Sequence, residues 1–74
     1  MYTTAWCGFC HRLKNQLSRE GIELTEIDIE HDADSAHFVE SVNGGNQTVP
    51  TLLFADGTTM TNPSLAQVKA KLGV

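Results

Sequence analysis

Apolar and polar positions change their spacing several times along this 74-residue chain, and each spacing predicts a different element. Apolar side chains recur every three or four residues over 8–19, which predicts a helix closed by Gly21. Apolar and acidic residues alternate over 25–29, which predicts a strand with one buried face. A second helical spacing follows, with Asp32 or Asp34 as its N-cap. The inward positions of these elements are Cys10, Leu13, Leu17, Ile27, Ile29, Ser35, Phe38, Val39 and Val42.

The rest of the pattern predicts three short strands and a last helix. Residues 1–3 form a very short first strand, and the most apolar stretch, 49–54, forms a buried one. A hairpin turn at 56–57 leads to a partner strand over 58–61. Residues 62–63 open the last helix as its cap and first-turn proline. The inward positions of that helix are Leu65, Val68 and Leu72.

The predicted order of strand, helix, strand, helix, strand, strand, helix is that of an α/β protein with some parallel pairing. No internal repeat, linker or low-complexity stretch divides residues 1–74, so one domain is expected. A domain of this size buries only about 60% of its unfolded surface. It therefore has room for one small core and no separate regulatory domain.

Charge and hydropathy exclude several classes of function. The net charge is −4, and eight of the nine acidic residues lie between Glu20 and Glu40, as on a solvated face. No basic stripe favours nucleic acid, and no apolar run reaches the roughly 20 residues that span a membrane. Residues 1–4 lack the charged and apolar order of a secretory signal. These features predict a cytoplasmic protein without nucleic-acid or membrane partners.

The two cysteines are better explained by a role in redox chemistry than by a disulfide that stabilises the fold. A bridge between Cys7 and Cys10 closes a very small loop and adds little stability. Cys7 directly precedes the first helix, where free N–H groups and the helix dipole lower a thiol pKa from about 8.5 toward roughly 3.5–7.5. Cys7 is therefore the predicted nucleophile. The inward-facing Cys10 is the predicted resolving thiol, which attacks the mixed disulfide formed on Cys7. Trp6 is expected to cover one side of the sulfur pair and Phe9 to fill the turn.

Other interpretations of the cysteines remain open. Both can be ordinary buried residues. With His11 they form the attachment pattern of c-type haem, but the missing export signal and the alternation of strands and helices argue against a cytochrome. Two cysteines and one adjacent histidine fall short of a four-ligand zinc site, and His31 and His37 are expected on the surface, so no metal is predicted. A looser turn at Gly8 would permit an iron–sulfur cluster bridged between two chains through Cys7.

Pro50 opens the buried strand and leaves an unpaired position there, because it has no N–H to donate. If the Val49–Pro50 bond is cis, the Val49 backbone turns outward beside Cys7. Its N–H and C=O can then bind an extended thiol substrate as an added strand, with Thr48 beside it. The alternative is a plain proline at a strand start.

Together these residues resemble the glutaredoxin branch of the thioredoxin superfamily, and more closely the actinobacterial mycoredoxins. The resemblance covers nearly the whole chain, and 41–50 is its most specific block. The segments that carry it are Tyr2-Thr3-Thr4, Trp6-Cys7-Gly8-Phe9-Cys10, Ile27-Asp28-Ile29-Glu30-His31, Ser41-Val42-Asn43-Gly44-Gly45-Asn46, Thr48-Val49-Pro50, Phe54-Ala55-Asp56-Gly57 and Thr61-Asn62-Pro63-Ser64.

The resemblance implies a thioredoxin-like fold with a four-stranded mixed sheet, three helices and a cis Pro50. It implies reduction of mixed disulfides between proteins and a small thiol, mycothiol in that family. Cys7 would carry the thiol adduct, and Cys10 would act on protein disulfides. Asn62 and Ser64, at the start of the last helix, would bind polar groups of the thiol.

The partners expected from the resemblance are the small thiol, oxidised or S-thiolated proteins and a flavin disulfide reductase upstream. No tightly bound cofactor is expected, and the chain is expected to be a monomer. The alternatives are an electron donor for ribonucleotide reductase, recycled by thioredoxin reductase, and a non-catalytic iron–sulfur module.

Two departures from the family pattern weaken the case for glutathione. Glutathione-dependent members carry a lysine shortly before the cysteines, where this chain has Thr4 and Ala5. They also carry a Gly-Gly-Cys/Ser-Asp type loop where this chain has 60–64.

Family members have more residues before the cysteines, so the first strand is either very short or completed by residues upstream of Met1.

Overall fold

Four short strands and three helices make up the computed structural model, which describes residues 1–74. In chain order the elements are β1 (Tyr2–Thr3), α1 (Gly8–Arg19), β2 (Ile27–Asp28), α2 (Ala33–Val42), β3 (Thr51–Leu53), β4 (Thr59–Thr61) and α3 (Leu65–Leu72). The order of elements agrees with the predicted one. None of the three helices combines the length and apolarity that a membrane crossing requires.

The strands form one mixed sheet in the order β2-β1-β3-β4. β1 is central; it pairs parallel with β2 and antiparallel with β3, and β3 pairs antiparallel with β4. The parallel pair needs a crossover, which α1 supplies. The antiparallel pair needs only a turn, closed by the Phe54 N–H, which donates to the Thr58 carbonyl at 2.9 Å. The mixed four-stranded sheet and the hairpin are confirmed.

The core has two parts, which the sheet separates because successive strand residues point to opposite faces. One part lies under α1 and α3, and the other lies under α2. The first consists of Met1, Cys7, Cys10, Leu13, Leu17, Leu52 and Val68. The second consists of Tyr2, Ile29, Ala36 and Val39. Both cysteines are therefore core residues as well as candidates for chemistry.

The end of α1 is closed by Gly21, as predicted. Gly21 has a φ of 71°, a conformation that glycine adopts without a Cβ clash. Its N–H donates to the Ser18 carbonyl at 3.1 Å, and the Ile22 N–H donates to the Leu17 carbonyl at 3.0 Å. These two bonds satisfy carbonyls that the helix end would otherwise leave free. Ile22 then packs against the core beside Leu17.

Two predicted strands are shorter in the structure. β2 covers Ile27–Asp28 rather than 25–29, because a strand extends only where it has a partner and β1 has two residues. β3 covers Thr51–Leu53 rather than 49–54, and Leu53 is 45% exposed.

The inner face of α2 is narrower than predicted. Asp32 caps the helix, with its carboxylate accepting the Ser35 N–H at 3.2 Å. Ala36 and Val39 are buried, whereas Val42 is exposed. The prediction for Val42 is wrong because each step of three residues rotates a side chain by about 60° from the previous one. Val42 has therefore turned away from the sheet.

The last helix begins two residues later than predicted. Ser64, not Asn62, is the N-cap, and its hydroxyl accepts the Gln67 N–H while the Gln67 side chain accepts the Ser64 N–H. This reciprocal box satisfies two donors, whereas a helix capped by Asn62 would have Leu65 at its third position, and leucine has no side-chain acceptor. Pro63 lies before the cap, and Leu72, predicted inward, is 45% exposed.

Candidate active site

Three chain segments meet at one end of the sheet because of the strand directions. α1 begins after the carboxyl end of β1, and the 48–50 loop precedes β3, which runs antiparallel to β1. Asn62 follows β4, which runs antiparallel to β3. The carboxyl ends of β1 and β4 and the amino end of β3 therefore share one edge. The cysteines lie at this edge.

Cys7 is the N-cap of α1, as the sequence predicts. Its Sγ accepts a hydrogen bond from the Cys10 N–H at 3.1 Å, and its own N–H donates to the Thr4 carbonyl at 3.3 Å. An N–H donor and the positive end of a helix dipole both stabilise negative charge. When the disulfide is reduced, the site therefore favours a thiolate at Cys7.

The two cysteines form an intrachain disulfide with a Cα–Cα distance of 5.3 Å, which is in the normal range. Cys10 is 1% exposed and Cys7 is 5% exposed. Cys10 is thus the deeper of the two, in agreement with its predicted inward orientation. A partner sulfur approaching from outside meets Cys7 first.

The Val49–Pro50 peptide bond is cis, as the resemblance implies. The Val49 carbonyl oxygen lies 3.8 Å from Cys7 Sγ, so this loop borders the disulfide directly. The Val49 N–H makes no hydrogen bond within the chain. Pro50 is buried and Thr48 is exposed. The structure therefore brings Thr48, Val49 and Pro50 beside the cysteines with one backbone donor unused.

Trp6 and Phe9 flank the cysteines on the surface. Trp6 is 72% exposed and Phe9 is 65% exposed. The expectation that Phe9 fills the turn is wrong, because α1 turns Cys10, and not Phe9, toward the core. Most of Trp6 also remains in solvent.

A cavity of about 330 Å³ opens beside Phe9, between α1 and the start of α3. Asn62 connects it to the cysteine edge, because its N–H donates to the Pro50 carbonyl at 2.7 Å. Arg12 lines the cavity and takes part in none of the ion pairs of the molecule. The full lining is Phe9, Arg12, Leu13, Gln16, Asn62, Pro63, Ser64, Leu65 and Gln67.

Arg12 and Gln16 were not predicted from the sequence as lining residues. Phe9, Arg12 and Gln16 follow one another at spacings of three and four. That spacing places them on one helix face next to the cysteines, and it could have revealed them. A second cavity of about 370 Å³ is lined largely by apolar side chains and contains neither cysteine.

His11 is exposed, and its Nε2 lies 2.9 Å from the Ala5 carbonyl oxygen. It therefore ties α1 to the turn before Cys7. No group of three or more His, Cys, Asp or Glu side chains is arranged to hold a metal ion.

Comparisons with known proteins agree with this geometry. The glutaredoxin family model matches residues 1–59. A Mycobacterium tuberculosis protein named as a glutaredoxin is 61% identical over 97% of this chain and 86% of its own length. Mycoredoxin 1 of Corynebacterium glutamicum is 43% identical over 97% of this chain and 89% of its own length. The chain therefore belongs to the glutaredoxin family, and it is a thiol–disulfide oxidoreductase.

Proposed function

We propose that this protein reduces mixed disulfides between proteins and mycothiol, with Cys7 as the nucleophile. The observation that carries the proposal is the position of Cys7 at the start of α1, where its Sγ accepts the Cys10 N–H at 3.1 Å. The thiolate is the attacking species in disulfide exchange. The proposed site is cytoplasmic and works in a monomer.

The first route uses Cys7 alone. Its thiolate attacks the mycothiol sulfur of a protein–mycothiol disulfide, a Cys7–mycothiol disulfide forms, and the protein leaves as a thiolate that takes up a proton. A second mycothiol thiolate then attacks the adduct at the mycothiol sulfur. This step releases the symmetric disulfide of mycothiol and restores the Cys7 thiolate. A flavin disulfide reductase upstream would reduce that product.

The second route uses both cysteines and acts on protein disulfides. Cys7 attacks one sulfur of the target, and the other target sulfur leaves as a thiolate. Cys10 loses its proton and attacks the Cys7 sulfur, which releases the second target sulfur. The target leaves as a dithiol, and the two electrons it gains come from the Cys7–Cys10 pair. Two small thiols then reduce the intrachain disulfide.

The backbone of Val49 supports substrate binding in both routes. Its free N–H and its carbonyl, which lies 3.8 Å from Cys7 Sγ, can pair with an extended thiol substrate as an added strand. Thr48 and Pro50 border this groove, and the exposed rings of Trp6 and Phe9 supply apolar contact area for a protein target.

The polar part of the small thiol fits the cavity beside Phe9. The backbone N–H groups of Asn62 and Ser64 are already used, because they donate to the Pro50 carbonyl and to the Gln67 side chain. These two residues therefore offer their side chains to the thiol. The Arg12 guanidinium adds five further donors. Thr4 and Ala5, in place of the family lysine, favour mycothiol over glutathione, as does the similarity to a protein named mycoredoxin.

A coupled assay tests this function. Reduction of bis(2-hydroxyethyl) disulfide is followed by NADPH oxidation with three reducing systems: mycothiol with its disulfide reductase, glutathione with its reductase, and thioredoxin reductase alone. The proposal expects turnover with mycothiol that exceeds turnover with glutathione at least tenfold. Equal or greater turnover with glutathione contradicts it.

The intrachain disulfide favours one second candidate, an electron donor for ribonucleotide reductase that thioredoxin reductase recycles. Such a donor needs only the two cysteines and no small thiol. Full NADPH oxidation with thioredoxin reductase alone, in the same assay, would support this candidate over the first.

A further inference from the structure

We propose that Thr51 and Asn43 are positioning residues that hold the Val49 N–H in its substrate-binding orientation. This inference rests on the proposed function, in which Val49 pairs with an extended thiol substrate. Neither residue borders Cys7: Asn43 follows α2, and Thr51 is fully buried in β3. Their effect on substrate must therefore pass through the loop between them.

The two side chains form a relay that ends on the loop. The Asn43 amide donates to the Val39 carbonyl at 3.0 Å and to the Thr51 hydroxyl at 3.1 Å. The Thr51 hydroxyl donates in turn to the Thr48 carbonyl at 2.8 Å. The Thr61 hydroxyl donates to the Asn43 amide oxygen. The relay thus joins α2, β3 and β4 to the residue before Val49.

The Thr48 carbonyl and the Val49 N–H belong to the same peptide unit. This peptide is trans, so its C=O and N–H point in opposite directions. Fixing the carbonyl on the Thr51 hydroxyl therefore fixes the direction of the N–H as well. No other donor of the chain reaches the Thr48 carbonyl, and the Val49 N–H has no partner that would hold it instead.

Asn46 adds a second restraint on the same loop. Its side-chain oxygen accepts the Thr48 N–H at 3.2 Å, and its amide donates to the Asn43 carbonyl at 2.8 Å. Both restraints on Thr48 therefore lead back to Asn43. A peptide that is oriented before substrate arrives lowers the entropy cost of binding.

The test compares Thr51→Val, which removes the hydroxyl at nearly constant shape, with Thr51→Ser, which keeps it. Two quantities are measured for each variant: KM for an S-mycothiolated peptide, and the rate at which iodoacetamide alkylates reduced Cys7. We expect KM to rise about tenfold in Thr51→Val, the size of one lost hydrogen bond. The alkylation rate should stay at the wild-type value, and Thr51→Ser should restore KM.

Three results would overturn the proposal. They are a wild-type KM in Thr51→Val, an equal rise of KM in Thr51→Ser, or a rise of KM in Thr51→Val together with a fall in its alkylation rate. Asn43→Ala provides a second variant at a partly exposed position if Thr51→Val does not fold. It should raise KM by a smaller factor, because Thr51 can still donate to Thr48. An unchanged KM in that variant also counts against the relay.

A substrate-free measurement separates this inference from the proposed function. If wild-type protein does not act on the mycothiolated peptide, the proposed function fails. Nitrogen-15 relaxation of the Val49 amide then decides the positioning claim alone. Increased mobility in Thr51→Val, with wild-type values in Thr51→Ser, supports it, and equal mobility in all three proteins refutes it.

Discussion

Cys7 and Cys10 are unequal although they share one disulfide. Cys7 caps a helix and accepts an N–H bond on its sulfur, whereas Cys10 lies inside the helix and is almost fully buried. The first arrangement favours a thiolate, and the second favours a protected thiol that acts only within the molecule. The proposed division between nucleophile and resolving residue follows from this difference.

The division predicts different effects of two serine variants. Cys7→Ser should lose all detectable reduction of a mycothiolated peptide, because every route begins with this sulfur. Cys10→Ser should keep at least a third of that activity and lose reduction of an intramolecular protein disulfide such as insulin. Both activities are measured as initial rates of NADPH oxidation. Equal loss of peptide reduction in the two variants would contradict the assigned roles.

Arg12 allows a prediction about the small thiol. Arg12→Gln shortens the side chain and removes its charge from the cavity beside Phe9, so KM for a mycothiolated peptide should rise about threefold to tenfold. The rate constant for attack on bis(2-hydroxyethyl) disulfide, which carries no mycothiol, should not change. Arg19→Gln, a matched change on the same helix outside that cavity, serves as the control. Equal KM increases in both variants would count against a cavity-bound thiol.

At the scale of elements, the helix ends decide where the site residues lie. α1 follows a cysteine N-cap and is closed by a glycine with positive φ, and these two ends fix which residues of the helix face the core. α3 begins at a reciprocal Ser64–Gln67 box, which sets its first turn against the cavity. Because each end is defined by local hydrogen bonds, it can be tested by single substitutions.

Gly8, the first residue of α1, and Gly21, which closes the helix after its last turn, make a matched pair for stability. Gly21→Ala should destabilise the protein by about 1 kcal/mol, because φ is 71° there and alanine is strained in that region. Gly8→Ala should stabilise it by about 0.4–1 kcal/mol, since Gly8 is helical and a Cβ meets no atom within 4 Å. Urea denaturation of the reduced proteins measures both. Effects of the same sign would show that the cap conformation is not what Gly21 provides.

The sequence predicts those features that depend on a few adjacent residues. The Asp32 cap, the Gly21 helix end, the turn at 56–57 and the Cys7 helix start follow from local chemistry and appear in the structure. Where α3 begins was predicted wrongly, since Asn62 adopts a φ of 47° and leaves the capping role to Ser64.

Other features depend on contacts between distant segments. The length of β2 is set by β1, and the exposure of Val42 is set by which face of α2 turns toward the sheet. The hydrogen bonds of Asn43 join residues up to 18 positions apart. No spacing along the sequence predicts such a bond, because an asparagine next to two glycines is typical of a turn.

At the scale of the whole molecule, the core is small and long-range polar contacts reinforce it. Lys71 at the end of α3 donates to the Asp56 carboxylate in the β3–β4 turn at 2.7 Å. Lys69 pairs with Glu20 at the end of α1, 3.3 Å away. These pairs link the end of the last helix to both the sheet and the first helix.

The Asp56 contact predicts a pH dependence of stability. Hydrogen bonds from Lys71 and Thr58 hold the pKa of Asp56 well below its usual value of 3.8. A lowered native pKa stabilises the fold above the unfolded pKa, and this contribution is lost as pH falls through the native pKa. Lys71→Ala should therefore lower Tm slightly at pH 7, and the difference from wild type should shrink below about pH 4. A difference that is constant from pH 7 to pH 2 would contradict this assignment.

The membership of both cysteines in the core cluster couples two equilibria that are usually measured separately. Oxidation and folding form a closed thermodynamic cycle. The amount by which the folded chain favours the disulfide more than the unfolded chain does therefore equals the amount by which the oxidised protein is more stable than the reduced protein. Denaturant titrations of the oxidised and reduced protein therefore give the effective concentration of one thiol at the other in the folded chain, relative to the unfolded one. Any substitution that repacks Leu13 or Val68 against the sulfurs will change the redox poise without touching either cysteine.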